Sequence, residues 1–447
     1  MGRVWRQCLR GCWQLAWMRN AAVIVLLLLS VLGWFDWKPT PAIAAPNSPQ
    51  VTHLTLWQGV NPPPNRDVLQ KLLDRFNQTH MDIQVDSIYV GQPDEQMPKI
   101  LAAVVGNSAP DMLWFAPMIT GQLVELGAVR PLEQWLDQSP LREQIAPTLF
   151  ETMELENHLW SIPFGTNNVG IFYRPSLFQA AGITQLPQTW EELRQVAQTL
   201  TRDTDGDRRI DQHGILLPLG KGEWTVFNWL PFMWSGGGEL TDAGEANPAA
   251  VNLANSGAIA ALQLWRDLLD DGSAVLSLPE RGYELDGFLA GKVAMQLSGP
   301  WTLGQLQATG VDFGVIPIPT EAGRATASGG ENLFFFKSTP EREQAALTFA
   351  EYVLSEEFQT QWALGTGYLP TNLKARQDPT YQQFISQQPA VRVFLEQAPY
   401  GRSRPIFFGY NRVSEQLGRA IEAVLLGKGT PETALTEAQR RLSLIFH

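Results

Sequence analysis

The chain has 447 residues, with 33 Lys or Arg against 45 Asp or Glu, and a formal net charge of -12. This length exceeds what one small core needs, so two lobes or domains are the default expectation. Because 44% of the residues are hydrophobic, the chain can bury sizeable cores and is not a disordered polymer. The acidic balance argues against nucleic acid or anionic lipid as partners, since an acidic surface repels their phosphates.

The N-terminal segment has the pattern of a secretory signal peptide. Residues 1–20 carry four arginines and no acid, and the apolar run 21–34 is followed by an Ala-Ile-Ala cleavage pattern. The alternative is an uncleaved membrane anchor, but the run is shorter than the ~20 residues that span a bilayer. We therefore predict that residues 1–44 are removed. Cys8 and Cys12 would leave with them, so we expect a periplasmic protein that is not a lipoprotein.

Strand and helix patterns alternate after the signal peptide. Residues 51–57 alternate like a strand, residues 67–80 place leucines on one helical face, and residues 83–90 form a second strand pattern. Another helical face and the apolar run 112–115 complete a βαβαβ unit. Such a unit predicts a mostly parallel sheet covered by helices, with ligands at the carboxyl ends of the strands.

A second α/β unit follows. Thr189 opens a helix with capping-box spacing, residues 293–297 and 313–318 read as strands, and Thr339 and Ser355 are predicted helix N-caps. No long Gly/Ser or charged linker separates the two units. The predicted fold class is therefore α/β, with short connections between two units.

Seven short patterns occur in an order that resembles one known family. They are residues 110–111 (PD), 127–132 (GAVRPL), 162–167 (IPFGTN), 291–295 (GKVAM), 298–301 (SGPW), 329–337 (GGENLFFFK) and 366–371 (TGYLPT). Together they resemble the extracellular solute-binding proteins of bacterial ABC importers, in the carbohydrate group, and cover most of residues 51–447. The branch with a Gly-Tyr-Leu-Pro turn also includes binders of glycerol 3-phosphate and disaccharides.

The resemblance implies a two-lobed periplasmic binding protein fold. Each lobe would be a mostly parallel sheet flanked by helices, with the ligand cleft between the lobes. Lobe one would comprise residues 51–164 plus 313–354, and lobe two residues 165–312 plus 355–447. Residues 165–168 would then be a hinge strand, whereas the residues alone are equally compatible with a surface turn.

A sugar cleft needs flat aromatic rings against the apolar face of a pyranose and planar polar groups at its hydroxyls. Residues at predicted strand ends or in the family-matched turns are the candidates. The predicted ligand-binding residues are Trp57, Gln58, Asp111, Trp114, Trp234, Trp301, Gly330, Glu331, Asn332, Tyr368 and Arg404. The alternatives are core packing for each Trp, a turn cap for Asp111, a flexible turn for Gly330 and a solvated loop for Arg404. No catalytic residue is predicted.

An acidic loop matches part of a calcium-binding loop. Carboxylates stand at its relative positions 1, 3, 5 and 9, which are Asp203, Asp205, Asp207 and Asp211. The match is incomplete, because Arg208 stands at the usual glycine position and Gly214 at that of the bidentate Glu. We therefore assign no cofactor, and calcium stays an alternative to an ordinary Asp/Gly turn.

The sequence favours a binding protein over an enzyme. It contains no G-x-S-x-G or H-E-x-x-H pattern, and its 5 His show no metal-ligand spacing. The resemblance implies a monomeric carrier that closes around a carbohydrate (a sugar, an oligosaccharide or a glycosylated polyol) and delivers it to the membrane permease subunits of an ABC importer. Two alternatives remain: a glycerol 3-phosphate-binding protein of the same fold, and a secreted glycoside-active enzyme, since such enzymes also combine tryptophans with carboxylates.

Overall fold

Two five-stranded mixed sheets organise the computed structural model, which describes residues 51–241, 248–278 and 284–446. The predicted signal peptide lies outside the described residues. The strands are β1 (Thr52–Gln58), β2 (Ile83–Tyr89), β3 (Met112–Phe115), β4 (Glu154–Leu155), β5 (His158–Leu159), β6 (Ser161–Pro163), β7 (Asn167–Asn168), β8 (Gly170–Tyr173), β9 (His213–Leu217), β10 (Ala274–Leu276), β11 (Val293–Ser298), β12 (Gly314–Ile316), β13 (Thr326–Gly329), β14 (Asn332–Phe335) and β15 (Gly401–Arg402). The helices are α1 (Pro63–Thr79), α2 (Pro93–Val105), α3 (Thr120–Glu125), α4 (Glu133–Leu136), α5 (Pro175–Ala180), α6 (Trp190–Leu200), α7 (Glu223–Ser235), α8 (Ser256–Asp270), α9 (Asp286–Leu289), α10 (Leu303–Thr309), α11 (Pro340–Leu354), α12 (Glu356–Thr366), α13 (Pro379–Gln387), α14 (Pro389–Gln397), α15 (Tyr410–Leu425) and α16 (Pro431–Phe446).

The first sheet has the strand order β2-β1-β3-β14-β6. Strand β14 runs antiparallel to both of its neighbours, and the other four strands share one direction. Leu54 and Leu56 alternate along β1 and are fully buried, and they pack in one core with Leu73 and Phe76 of α1. The predicted βαβαβ unit is therefore present, because alternating and helical apolar patterns bury their faces against each other.

The second sheet repeats this arrangement with the order β10-β9-β11-β8-β12. Here β8 is the strand that runs antiparallel to both neighbours. All six residues of β11 are buried, as expected for a central strand covered on both faces. In each mixed sheet, four of the five strands thus share one direction, which agrees with the predicted α/β class.

The helix caps follow the sequence expectations. The Thr189 hydroxyl accepts from the Glu192 backbone N–H at 3.2 Å, and the Glu192 carboxylate accepts from the Thr189 N–H at 3.1 Å. The Thr339 side chain caps α11 and the Ser355 side chain caps α12. These starts were predictable because a cap needs only residues within one turn of the chain.

Two segments lie elsewhere than the predicted lobe boundaries place them. Strand β12 was assigned with the first lobe but pairs with β8 in the second sheet. Helix α12 was assigned to the second lobe, yet Phe358 and Trp362 pack their rings 5.1 and 5.4 Å from Phe164, in the core of the first sheet. A short apolar segment joins whichever sheet offers it a partner, and its own composition does not reveal which one that is.

A small third sheet, β15-β13-β7, contains the predicted hinge segment. Ser328 pairs with Asn168 and Gly329 with Asn167, so the segment is extended and hydrogen-bonded. The chain then passes through Gly330, which has φ +116°, and enters β14 of the first sheet. This junction places Glu331 between the third sheet and the first.

Candidate functional site

A cavity that is partly open to solvent lies where several strand ends and helix starts meet. The first sheet supplies residues that follow β1, β2 and β3, the second sheet supplies the turn after β11, and α7 supplies its first turns. The lining residues are Gly59, Asn61, Gln92, Trp114, Ala116, Met118, Asn167, Glu223, Trp224, Phe227, Trp301, Gly330, Glu331, Tyr368 and Arg404. The site is therefore at the carboxyl ends of parallel strands, where α/β sheets place ligands.

Aromatic rings form much of the wall of this pocket. Trp301 follows β11, and its ring lies 5.9 Å from that of Trp224 at 68° and 6.5 Å from that of Phe227 at 37°. Trp114, at the end of β3, contributes a ring from the first sheet and is 3% exposed. Its Nε1–H has no hydrogen-bond acceptor among the described residues. Flat rings from both sheets therefore face one cavity.

An ion pair occupies one side of the pocket. The Arg404 Nη1 donates to Glu223 Oε1 at 2.7 Å, and the two side chains are only 9% and 11% exposed. The guanidinium also lies 4.4 Å over the ring centre of Phe227. Tyr410 and Ser414 of α15 donate their hydroxyls to the Glu223 carboxylate. These contacts hold the guanidinium in one plane, which is the geometry that presents several N–H donors to a ligand.

A carboxyl group on the junction between sheets also faces the pocket. Tyr368 donates its hydroxyl to Glu331 Oε2 at 3.2 Å. Burial raises the pKa of Glu331 to about 7, against the lowering effects of the Tyr368 hydrogen bond and the Arg404 charge. Burial, followed by the nearby Glu331 carboxyl, raises the pKa of Tyr368 well above its usual value. Tyr368 therefore stays a hydroxyl donor at any physiological pH.

The structure brings six of the predicted ligand-binding residues together in this lining: Trp114, Trp301, Gly330, Glu331, Tyr368 and Arg404. Asn332 lies beside it, in the wall of a neighbouring cavity, where its amide donates to the Thr152 carbonyl and the Ser161 hydroxyl. That the six contact a ligand remains a proposal, and their convergence is what supports it.

The other four predicted residues lie outside the lining, and each has a different set of contacts. Asp111 accepts from Arg342 through both carboxylate oxygens and from the Thr55 N–H and hydroxyl. The Gln58 amide accepts from the Val60 N–H and donates to Ser87. These polar groups therefore hold the first sheet together, because a buried polar side chain needs partners and local ones were available.

The two remaining tryptophans pack into the protein. Trp234 is 4% exposed near the end of α7, a helix whose residues are buried from Thr225 to Ser235. Trp57 is half-buried on β1 and packs at the edge of the main core. Their packing agrees with the alternative that the sequence left open for every Trp, and ligand contact by these two stays a prediction.

Sequence reasoning missed much of the lining, above all Glu223 and Phe227 of α7. The stretch around them contains Pro231 and ends in three glycines, and the helix that presents its first turn to the pocket was not predicted. A usable signal existed, because Gly222 and Glu223 have the composition of a helix start with an acid in its first turn. Asn167, another lining residue, was predicted only as part of a family pattern and of the hinge segment, not as a ligand-binding residue.

The acidic loop contains a compact group of carboxylates. Oxygens of Asp203, Asp205 and Asp211 lie within 4.8 Å of one another, and all three residues are exposed. Asp207 is outside this group and accepts from the Arg209 N–H. Asp203 accepts from the backbone of Gly206 and Arg208, which are the bonds of an Asp-stabilised turn. Calcium binding at this loop stays an untested alternative to an ordinary Asp/Gly turn.

The chain belongs to the bacterial extracellular solute-binding protein family, whose family model matches residues 71–390. A maltotriose-binding protein of Pyrococcus abyssi is 23% identical over 335 residues, which are 73% of this chain and 68% of that relative. The sn-glycerol-3-phosphate-binding periplasmic protein UgpB of Yersinia pseudotuberculosis is 23% identical over 414 residues, 88% of this chain and 92% of its own length.

A solved structure shows the same fold. The ABC transporter solute-binding protein of Thermotoga lettingae, bound with α-D-tagatose, aligns with a TM-score of 0.78 at 24% identity, over 89% of this chain and 100% of that one. The predicted two-lobed fold class and the family resemblance are therefore confirmed. In the described part of the chain, no helix has both the length and the apolar character needed to cross a bilayer.

Proposed function

We propose that this protein binds a carbohydrate in the pocket between its two large sheets, in the periplasm, and delivers it unaltered to the permease subunits of an ABC importer. The observation that carries the proposal is the set of Trp114, Trp224, Phe227 and Trp301 rings around one cavity, with Arg404 and Glu331 at its edge. Such rings suit the CH face of a pyranose, and the polar groups suit its hydroxyls.

The extent of the cleft favours a ligand larger than one sugar ring. A second cavity continues past Trp224 and Trp301 and shares Asn61 and Gln92 with the first. Gln296 lines this extension, is 2% exposed, and its Oε1 has no hydrogen-bond donor among the described residues. An acceptor buried in this way suits a hydroxyl donor from a further sugar unit.

Glycerol 3-phosphate is the less favoured ligand because of the charges around the pocket. The described lining contains two carboxyl groups, Glu223 and Glu331, and one guanidinium. That guanidinium, on Arg404, is already paired with Glu223. A phosphate dianion would meet no uncompensated cation in this lining, and burying it there would cost free energy.

A thermal-shift screen tests the proposal. The panel contains monosaccharides, maltose, maltotriose, glycosylated polyols and glycerol 3-phosphate, because a ligand that binds only the native state raises the melting temperature. At 100 times its Kd such a ligand adds about 2.7 kcal/mol to the free energy of unfolding. We expect a shift with at least one sugar class, and product analysis of the same mixtures should find the sugar intact.

Matched variants test whether the rise in melting temperature depends on binding in this pocket. Trp301→Ala should abolish the sugar-induced rise in melting temperature. Phe408→Ala should preserve it, because the Phe408 ring is 43% exposed and lies outside the lining. A shift with glycerol 3-phosphate alone would replace the carbohydrate proposal. Cleavage of any sugar would overturn the binding-only assignment.

A further inference from the structure

The Glu331 carboxyl has no cationic partner of its own. The Arg404 charge acts on this carboxyl, but the Arg404 Nη1 hydrogen bond goes to Glu223. Within the described chain, no Lys, Arg or His forms an ion pair with Glu331, and the only hydrogen bond to its carboxyl comes from the Tyr368 hydroxyl. An ionised Glu331 would thus be supported by one neutral donor and by a cation that another acid already neutralises.

This carboxyl is partly exposed and lines a cavity whose wall is largely aromatic. Tyr368, which is 5% exposed, lies on one side, and Trp114 and Trp301 share the same cavity lining. The backbone is also held, because the Glu331 carbonyl accepts from the Phe164 N–H at 2.9 Å. A carboxyl that lines an aromatic cavity without a counter-ion of its own favours its neutral form. The pKa of about 7 that burial gives Glu331 agrees with this geometry.

We propose that Glu331 enters the ligand complex as a neutral carboxylic acid, so that binding in this pocket takes up a proton. The proposal rests on the proposed function, since it concerns the same site. The protonated carboxyl has an O–H that the carboxylate lacks, and it donates this group to a hydroxyl or ring oxygen of the ligand. The pocket then combines two kinds of donor at its edge, the Arg404 guanidinium and the Glu331 acid.

The direction of the coupling follows from desolvation. A ligand that fills the pocket displaces the remaining water around Glu331 and makes the ionised form less favourable still. The groups that face the carboxyl are Tyr368, Arg404 and, through Arg404, Glu223. Tyr368 keeps its proton near neutral pH, because burial holds its pKa well above the ordinary value. Ligand affinity should therefore fall as the pH rises past 7, about tenfold for each unit by which the ligand raises the pKa of Glu331.

The first experiment needs no ligand. Protein labelled with ¹³C at the glutamate carboxyl carbon is titrated by NMR, and the Glu331 resonance is assigned as the one missing from Glu331→Gln. We expect a midpoint near pH 7. A midpoint below pH 5.5 would overturn the proposal, because the acid would then be ionised at neutral pH.

The second experiment measures the coupling with maltotriose as the probe. Isothermal titration at pH 5.5, 7.0 and 8.5 should show the wild type weakening by about tenfold across the series, with proton uptake detected by changing the ionisation enthalpy of the buffer. Glu331→Gln, which mimics the neutral acid, should bind at all three pH values without this dependence. Glu351→Gln, on an exposed position of α11, should keep the wild-type profile.

The outcomes separate this proposal from the proposed function. Binding that is the same at all three pH values in the wild type would refute the proton coupling and leave the carbohydrate assignment intact. If neither maltotriose nor another sugar of the thermal-shift panel binds at any pH, the proposed function fails and the ligand part of this proposal fails with it.

Discussion

The indole ring of Trp301 lies directly against the backbone of Gly299. A Cβ added to Gly299 would come within 2.0 Å of Trp301 Cζ3 and 2.3 Å of its Cη2. Heavy atoms that are not bonded cannot approach this closely, so only glycine at position 299 permits the observed ring position. The glycine of the Ser-Gly-Pro-Trp pattern therefore allows the Trp301 ring to occupy its position in the pocket wall.

Gly299→Ala should displace the Trp301 ring and weaken ligand binding. The backbone at 299 has φ -133° and ψ -176°, which alanine adopts without strain, so the effect should come from the ring and not from the chain. We expect at least a tenfold loss of sugar affinity, equivalent to about 1.4 kcal/mol, with little change in melting temperature. Titration calorimetry measures the first and thermal unfolding the second. An unchanged affinity would show that the Trp301 position does not matter for binding.

Glu223→Gln should weaken binding by releasing Arg404. The carboxylate accepts from Arg404, Tyr410 and Ser414, and a neutral amide supports the guanidinium less well. We expect an affinity loss of about tenfold, as for the loss of a charge-assisted bond worth about 1.5 kcal/mol. Arg404→Lys should behave similarly, because an ammonium lacks the planar fork that lies over Phe227.

The control for these variants is Glu415→Gln. Glu415 pairs with Arg419 one turn away on the exposed face of α15, where ion pairs contribute little. The sugar affinity of Glu415→Gln should match that of the wild type. If Glu223→Gln bound sugar as tightly as this control, the prediction that Glu223 positions Arg404 for ligand binding would be wrong.

Gly330→Ala should destabilise the junction between the third and first sheets. Its φ of +116° is unfavourable for an L side chain, and the new Cβ would lie 2.2 Å from the Gly165 carbonyl oxygen. Gly310→Ala is the matched control, with φ +69° and open space around the new Cβ. The control should cost about 1 kcal/mol of unfolding free energy and Gly330→Ala clearly more. Denaturant unfolding compares the two, and equal losses would contradict the close approach at Gly330.

Asp111→Asn should lower stability without changing ligand affinity. The Asp111 carboxylate accepts two hydrogen bonds from Arg342 and two from Thr55. The NH₂ group of an asparagine amide would face some of these donors and could not accept from them. The expected loss is about 1–3 kcal/mol of unfolding free energy. Sugar titration on the folded variant should give the wild-type Kd. A large affinity change would return Asp111 to the ligand site.

The free energy of unfolding should depend on pH because of Glu331. Because the folded pKa is raised to about 7 from the ordinary 4.5, the folded state holds a proton that the unfolded chain releases. The contribution to stability is therefore fully present below pH 4.5 and is lost as the pH rises through 7. Compared with Glu331→Gln, the wild type should lose melting temperature between pH 5 and 8. Parallel curves for the two proteins would contradict the raised pKa.

Features that depend on neighbouring residues along the chain were predictable from the sequence. The Thr189 capping box, the Thr339 and Ser355 caps and the βαβαβ unit all appear where the pattern predicted them. Each uses interactions within one helical turn, or an apolar period that the residues themselves display. The family patterns added the two-lobed arrangement, which no local pattern contains.

The roles of similar residues could be separated only by the fold. Trp114 and Trp234 are both tryptophans, yet Trp114 lines the pocket, whereas Trp234 is a buried residue of α7 outside the lining. Asp111 and Glu331 are both acids in family-matched segments, but Arg342 pairs with Asp111 and no base pairs with Glu331 in the described chain.

By itself, the amino-acid order determined the α/β class, the helix starts at Thr189, Thr339 and Ser355, and the family, because these depend on short-range periodicity and on ordered motifs. Tertiary structure decided which rings face the cavity, which sheet receives β12, and which acid is left without a counter-ion. The physical reason is that burial and pairing depend on segments far apart in the chain: Arg404 meets Glu223 across 181 positions, and Glu331 meets Tyr368 across 37.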